Sequence, residues 1–593
     1  MKRSLLIVAI LLYFSLAGCV GVYYTALLVL KRSQPSQTWP GYHYALFKQP
    51  DFYTGLINAD NQPVAEEKVF GGIVSHHFFV EKEIARFFLP LRKQQPKVVV
   101  IIGPNHFNAG HNAMLTTQYP YITPWGNLEP DLELSNKLAA SGLITVEERP
   151  FEKEHSISAL VSFVKYTFPD TKLIPIILKK NVSQARLDEL VTQLDILLPK
   201  DSLVIASVDF SHHSNRVVAD FHDEKSLATI QSFDFESLAR LEIDSPSSIY
   251  ATLRFLEKRG AQKTSYFKHL NSATFANNLS SEDVTSYLFA HFIKGKSTTN
   301  GAVSVLHFGD MIFNGVVGEM IKNKQDPFQK IAGVEGNFLR GMDAVVANLE
   351  GPIAVREQCF SSRPVNFAFS PLVPSLLARN RIGFVNMANN HRLDCGENGV
   401  IETQELLTKS HIQFFGNEEL GAENYLVKKV ADKSLVLLGI NTFGMLPEKA
   451  QLFLGLIKNL KQRYDYVAVN VHWGVEYNTQ PSQEQKDLAH ALVDAGADVI
   501  IGHHPHVIQP LEIYKEKVIF YSLGNFVSSQ NIPATKNGLA AGFIFNDAVK
   551  KFYLFPFENS NGSPKLLLYQ KTKQFCDHFL KSVTTTEMCS FGL

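Results

Sequence analysis

Seven times along this chain a short apolar run ends in polar residues able to bind a metal or move a proton. The run 98–102 leads into Gly103-Pro104-Asn105-His106, 203–206 leads to Asp209-Phe210-Ser211-His212-His213, and 303–306 enters His307-Phe308-Gly309-Asp310. The run 344–347 enters Asn348-Leu349-Glu350, 384–388 enters Asn389-Asn390-His391, 467–471 enters His472-Trp473-Gly474, and 499–502 enters His503-His504-Pro505-His506. Short, wholly apolar runs suit strands buried in a parallel sheet. Open α/β sheets hold their ligands at the carboxyl ends of such strands.

Helical spacing appears at 182–198, and 281–292 is expected to close the first half as a helix. Ser482 and Gln485 read as a capping box opening a helix that runs to Ala495, with Leu488 and Leu492 on one face. Gly496 ends it and 498–501 follows as a strand. That β-α-β crossover brings His472 and the 503–506 cluster to one sheet edge. The polar, Gly-flanked stretch 294–301 divides the chain. The expected organisation is a membrane helix at 1–34, a first domain at 45–297, a second at 302–545, and a less regular C-terminal extension at 546–593. No short tandem repeat is present.

At 593 residues, 45% hydrophobic and 19% charged, the chain is long enough for more than one domain and too apolar for extensive disorder. Lys plus Arg and Asp plus Glu both number 57, so the net charge is zero and no case for nucleic-acid binding arises. Residues 4–30 carry no charge and are flanked by Lys2-Arg3 and Lys31-Arg32. A membrane helix needs about 20 apolar residues. A single-pass signal anchor with the body outside the cytoplasm is therefore expected. Lipoprotein processing at Cys19, after Leu16-Ala17-Gly18, and simple secretion are the alternatives. Cys576 and Cys589 could pair in an oxidising compartment.

Asp310, Glu350, Asn390, His472, His504 and His506 supply the carboxylate, amide and imidazole ligands of a dinuclear hydrolase, whose two cations activate a water and polarise the scissile group. His391, beside Asn390, is placed to stabilise charge or protonate a leaving group. His503 reads as a supporting residue, and Trp473 equally as packing or substrate contact. These motifs, with Asn348-Leu349-Glu350-Gly351-Pro352, Asn390-His391…Asp394…Gly396 and Ser522-Leu523-Gly524-Asn525-Phe526, resemble the CapA family of poly-γ-glutamate capsule-synthesis proteins over about 302–545. The resemblance implies a calcineurin-like metallophosphatase fold, a four-layer α/β/β/α sandwich, and a role in making, exporting or trimming an anionic envelope polymer. It also implies His391 and Asp394 as catalytic residues. The sequence departs from the usual phosphatase opening, because Met311-Ile312 follows Asp310 where Asp-x-His is typical. Cys395 stands where that family commonly has an aromatic residue, and either pairs with Cys359 or packs as a small hydrophobe.

In the first half, His76, His106 and His212 come from three strand-end loops, and three imidazoles can form a catalytic metal site. Asp209 and Glu154 could orient them; His77, His155 and His213 are lesser candidates. Gly71-Gly72…Ser75-His76-His77, Gly103-Pro104-Asn105-His106, Glu154-His155-Ser156 and Asp209…His212-His213 resemble the Memo-like family, also called AmmeMemoRadiSam system protein B, over about 65–293. That implies a fold similar to extradiol dioxygenases, with His76, His106 and His212 as the pocket triad. The chain is thus expected to be a two-domain α/β protein using divalent metal ions (Mn, Zn or Fe) on an envelope polymer. A non-catalytic polymer-binding role and an iron-dependent oxygenase activity in the first half are the alternatives.

Overall fold

A computed structural model describes residues 41–593 except 59–62, 356–358, 360–365, 417–423, 548–549 and 586. The first half is built on an eight-stranded sheet. Its neighbours run in the order Lys263–Asn271, Ser286–Ile293, Val69–Val74, Leu203–Ser207, Val98–Pro104, Lys172–Leu178, Met114–Thr116, Thr145–Val146. The four strands from Val69–Val74 to Lys172–Leu178 are parallel. Both faces are covered, so alternate residues of one strand enter different cores. Val98, Val100 and Ile102 pack with Leu187, Leu190 and Leu194 of the helix Gln184–Leu197. Val99 and Ile101 pack with Ile84, Phe87 and Phe88 of the helix Glu81–Phe88.

Two sheets face each other in the second half. One has nine strands, with Gln413–Phe415, Phe384–Asn386, Ala344–Leu349 and Val303–Met311 parallel in that order. The other has six, with Lys433–Asn441, Tyr466–His472, Val499–His503 and Lys517–Leu523 parallel at its centre. Val499, Ile501 and Phe520 share one core with Val305, Ala541 and Phe543 of the facing sheet. Val469, Val471 and Ile500 point the other way, onto the helices Pro447–Arg463 and Gln483–Asp494. The capping box is formed: Ser482 accepts from the Gln485 backbone, and the Gln485 side chain accepts from Ser482 N–H.

The segment 281–292 is not the expected helix. Residues Ser286–Ile293 form a strand, antiparallel between Val69–Val74 and Lys263–Asn271, with all eight residues buried. A run buried on both faces shows no alternation to distinguish it from a helix, and its Tyr, Phe and Ile content suits a strand. The tail is also more regular than expected. Lys550–Ser560, Ser563–Leu566 and Ser590–Gly592 all join the nine-stranded sheet. Both cysteine pairs are joined, Cys359 to Cys395 and Cys576 to Cys589.

The expectation of a single-pass membrane protein is corrected. Among the described residues no helix is long and apolar enough to cross a membrane. Residues 4–30, and Cys19 with them, lie outside the described residues.

The two halves share buried contacts. The first-half helix Arg216–Ser232 places Phe221 against Tyr553 and Phe555, with ring centroids 5.2 and 5.3 Å away. From the same helix, fully buried Lys225 reaches Asp343 at 2.7 Å, and Arg240, beyond that helix, reaches Asp343 at 3.1 Å. Arg340 pairs with Glu242 at 2.5 Å.

Candidate metal centres

In the second half the polar residues at strand ends converge. Asp310 lies near the end of Val303–Met311, Glu350 directly follows Ala344–Leu349, and His472 ends Tyr466–His472. His504 and His506 occupy the turn after Val499–His503. The strands reach one another only because glycine stands at two crossings. A Cβ on Gly309 would lie 1.8 Å from Gly524 O, and one on Gly502 would lie 1.9 Å from Tyr521 O. This gives the glycines of the Phe308-Gly309-Asp310 and Gly502-His503 motifs a packing reason.

The donor atoms of Asp310, Glu350 and His472 lie within 4.8 Å of one another, as do those of Glu350, His504 and His506, so Glu350 is common to both groups. Its Oε1 is 3.6 Å from His472 Nε2 and 3.6 Å from His506 Nε2. Asp310 Oδ2 is 3.2 Å from His506 Nδ1, and its Oδ1 accepts from Asn348 at 2.8 Å. Asn390 Oδ1 lies 2.8 Å from His472 Nε2, beside the cluster. His503 lies 3.3 Å from Asp310 and 3.4 Å from Asn470, which suits a supporting residue. Trp473 is buried and donates to Tyr521 O, so it packs rather than faces a substrate. His391 Nδ1 donates to Asp394 Oδ2 at 2.7 Å, and that same oxygen accepts from Phe367 N–H at 2.8 Å.

Burial would lower His506, but the charge of Glu350 and the hydrogen bond to Asp310 outweigh it and raise the imidazole to about 9. Burial pushes Glu350 well above the usual carboxylate range. Burial acts the same way on Asp310, but hydrogen bonds from His503 and His506 outweigh it and hold that carboxyl well below its usual range. Burial lowers His504 to about 4, aided by the charges of His506 and, more weakly, His391. Both oxygens of Glu350, fully buried, lack a hydrogen-bond partner, and so does His504 Nδ1. A buried carboxylate without a partner is strongly disfavoured unless a cation stands beside it. The carboxylate and imidazole donors fit a divalent metal ion.

The first half holds a second cluster. Donor atoms of His76, His106 and His155 lie within 4.8 Å of one another, and so do those of His76, Asp209 and Asp244. His76 Nε2 is 3.5 Å from both Asp209 Oδ2 and Asp244 Oδ2, and His76 Nδ1 is 3.1 Å from Ser207 Oγ. His106 Nδ1 donates to Glu154 Oε1 at 2.7 Å, and its ring stacks on His155 with centroids 4.1 Å apart. Burial would lower His106, but hydrogen bonds to Asp244 and Glu154 outweigh it and raise the imidazole to about 10. His212 lies outside both groups of donor atoms. It lines the cleft that His106 and Asp244 also line. Asp244 escaped the sequence reading because it precedes the helix Pro246–Lys258 instead of ending a strand; its Asp-Ser-Pro context signals only a helix start.

Residues 304–530 match the family described as bacterial capsule synthesis protein PGA_cap, and residues 57–290 match the Memo-like protein family. The PGA biosynthesis protein CapA of Bacillus subtilis (strain 168) is 28% identical over 300 residues, covering 47% of this chain and 78% of the relative. A MEMO1 family protein of Caldivirga maquilingensis is 28% identical over 213 residues, covering 34% of this chain and 73% of the relative. Among solved structures, a novel phosphatase from Mycoplasma pneumoniae aligns at 14% identity and a TM-score of 0.27, covering 45% of this chain and 91% of that one. The chain therefore joins a Memo-like domain to a CapA-family domain.

Proposed function

We propose that this protein acts in the biosynthesis of a bacterial capsule polymer such as poly-γ-glutamate, through a metal-dependent hydrolase-like centre in its second half. The likeness to CapA supports the capsule role. The observation that carries the metal centre is Glu350, whose two buried oxygens have no partner and which belongs to both groups of donor atoms. The two facing sheets suit the calcineurin-like metallophosphatase sandwich that the motifs imply.

Asp310, Glu350, Asn390, His472, His504 and His506 would hold the ions, of which Mn, Zn and Fe suit these donors. When bound, such ions supply Lewis acidity for activating water and polarising the scissile group. His391 serves the leaving group. Its Nδ1–H bond to Asp394 fixes the tautomer and leaves Nε2 to hold or release a proton. Asp394 is held in turn by the Phe367 N–H. The test is metal analysis of the full chain with phosphoesterase and amidase assays in added Mn²⁺ or Zn²⁺. The double variant His504→Ala, His506→Ala should lose metal from the second half and retain it in the first. Unchanged metal content would refute the ligand set, and bound metal without turnover would favour a polymer-binding role.

The grouping of His76, His106 and His155 with Asp209 and Asp244 favours a second reading, an iron-dependent oxygenase-like centre in the Memo-like half. Oxygen uptake that disappears in His106→Ala would support it, and its absence in the iron-loaded protein would exclude it.

A further inference from the structure

The two halves enclose a cleft of about 380 Å³, lined by His106, His212 and Asp244 of the first half and by Arg340 and Arg381 of the second. Its volume is in the range of small-molecule sites, about 300–1,000 Å³. The cleft is held together from both sides. Asn337 Nδ2 donates to the carbonyls of His212, at 2.7 Å, and His213, at 3.1 Å. Arg340 pairs with Glu242, and Arg240 with Asp343.

The polar groups facing this space are incompletely satisfied. Asp244 is nine-tenths buried; its Oδ2 faces His76 and His106, while its Oδ1 has no hydrogen-bond partner. Arg340 Nε is likewise buried without a partner. Arg381 makes no ion pair among the described residues, and burial, aided by the charge of Arg340, lowers its affinity for a proton. Of the charges lining the cleft, Glu242 is taken by Arg340 and Glu335 by Lys180, so the cation left over beside Arg340 is Arg381, which favours an anion. The orphan acceptor on Asp244 calls for an N–H or O–H donor on the same ligand.

We propose that this interdomain cleft binds a small acid, its carboxylate or phosphate held by Arg340 and Arg381 of the second half and a donor group received by Asp244 of the first. The first centre is then completed by the other domain, and the two halves read one ligand together. The proposal rests on the cleft alone and not on the capsule reading.

The test is equilibrium binding to the full chain by calorimetry, with γ-linked diglutamate as the carboxylate probe and inorganic phosphate as the second. Arg381→Gln is the decisive variant, because among the described residues it breaks no ion pair. Binding of either probe should weaken at least tenfold in Arg381→Gln and recover partly in Arg381→Lys. Asp244→Asn should weaken diglutamate more than phosphate. The His504→Ala, His506→Ala variant should bind as the parent does, which separates this site from the second-half centre. Binding of phosphate alone, lost in Arg381→Gln, would support the site and identify its anion. Failure of both probes at millimolar concentration, or binding unchanged in Arg381→Gln, would overturn the proposal.

Discussion

Replacing Glu350 by glutamine should reverse the order of stability of two proteins when metal is added. Glu350 is fully buried, and burial raises its carboxyl well above the ordinary value of 4.5. A group whose folded value is raised contributes stability that is complete below its unfolded value and lost as pH rises toward the folded one. At pH 7 the unfolded chain carries Glu350 ionised, while burial in the metal-free fold favours the neutral form. Each unit by which the folded value exceeds 4.5, up to the working pH, costs about 1.4 kcal/mol. Glutamine has the size and neutrality of the protonated acid, so the variant escapes the cost while its other desolvation terms stay similar. In chelator at pH 7, Glu350→Gln should therefore unfold at a higher temperature than the parent. The gap should vanish near pH 4, where both states hold the proton. In Mn²⁺ or Zn²⁺ at about 1,000 times its dissociation constant the parent gains about 4 kcal/mol. The variant, lacking the shared carboxylate, gains far less, and the order inverts. Calorimetric melts at pH 4 and pH 7, with and without metal, read all four corners. A variant less stable than the parent in chelator at pH 7, or one that gains as much from metal, would refute the reasoning.

Asp343→Ala should destabilise the protein by about 3–5 kcal/mol in denaturant titrations, because it strands the buried Lys225 ammonium. Adding Lys225→Met should recover part of that loss, and equal, additive losses would exclude a coupled pair. His391→Gln should lower turnover by about 10²–10⁴-fold at unchanged metal content; a parallel loss of metal would make His391 a ligand instead. His291 is buried, contacts Phe87 O at 2.9 Å, and is lowered by burial to about 4 from 6.5. Its contribution to stability is complete above pH 6.5 and is lost as pH falls toward 4, worth roughly 3 kcal/mol. His291→Gln should flatten the stability profile in that window, and an unchanged profile would remove His291 as its source.

The parallel strands were legible because each is a wholly apolar run, and their carboxyl ends named most of both clusters. Residues 286–293 were not, since a strand buried on both faces shows no period-two signal. Asp310 and Glu350 stand at strand ends of the nine-stranded sheet and His472, His504 and His506 at strand ends of the six-stranded sheet, and the facing of the two sheets brings the sets together. His155, a lesser candidate in the sequence, and Asp244, not named there, come from helix starts, whose place relative to the sheet depends on packing that no local pattern encodes. His212 was drawn in by its motif. In the structure its backbone carbonyl is engaged by Asn337 of the other half, and its ring borders the cleft.

The two clusters differ in what they lack, and that difference separates their chemistry. His504 and His506 both hold left-handed backbone, with φ of 96° and 58°. Such conformations cost a non-glycine residue on the order of 1–3 kcal/mol, and glycine would relieve both. A chain built for stability alone would carry glycine at those positions and an apolar or amide side chain at 350. Glu350 lies 3.6 Å from His472 Nε2 and from His506 Nε2 without a hydrogen bond to either, and strained imidazoles retained around such a carboxylate favour a cation held among them. The first cluster is closer to self-sufficient. His76 and His106 are engaged by Ser207, Asp209 and Glu154, and the unsatisfied atom is Asp244 Oδ1, beside the cleft. What that cluster lacks is a hydrogen-bond donor from a ligand, and the guanidinium groups that would orient such a ligand are supplied by the second half.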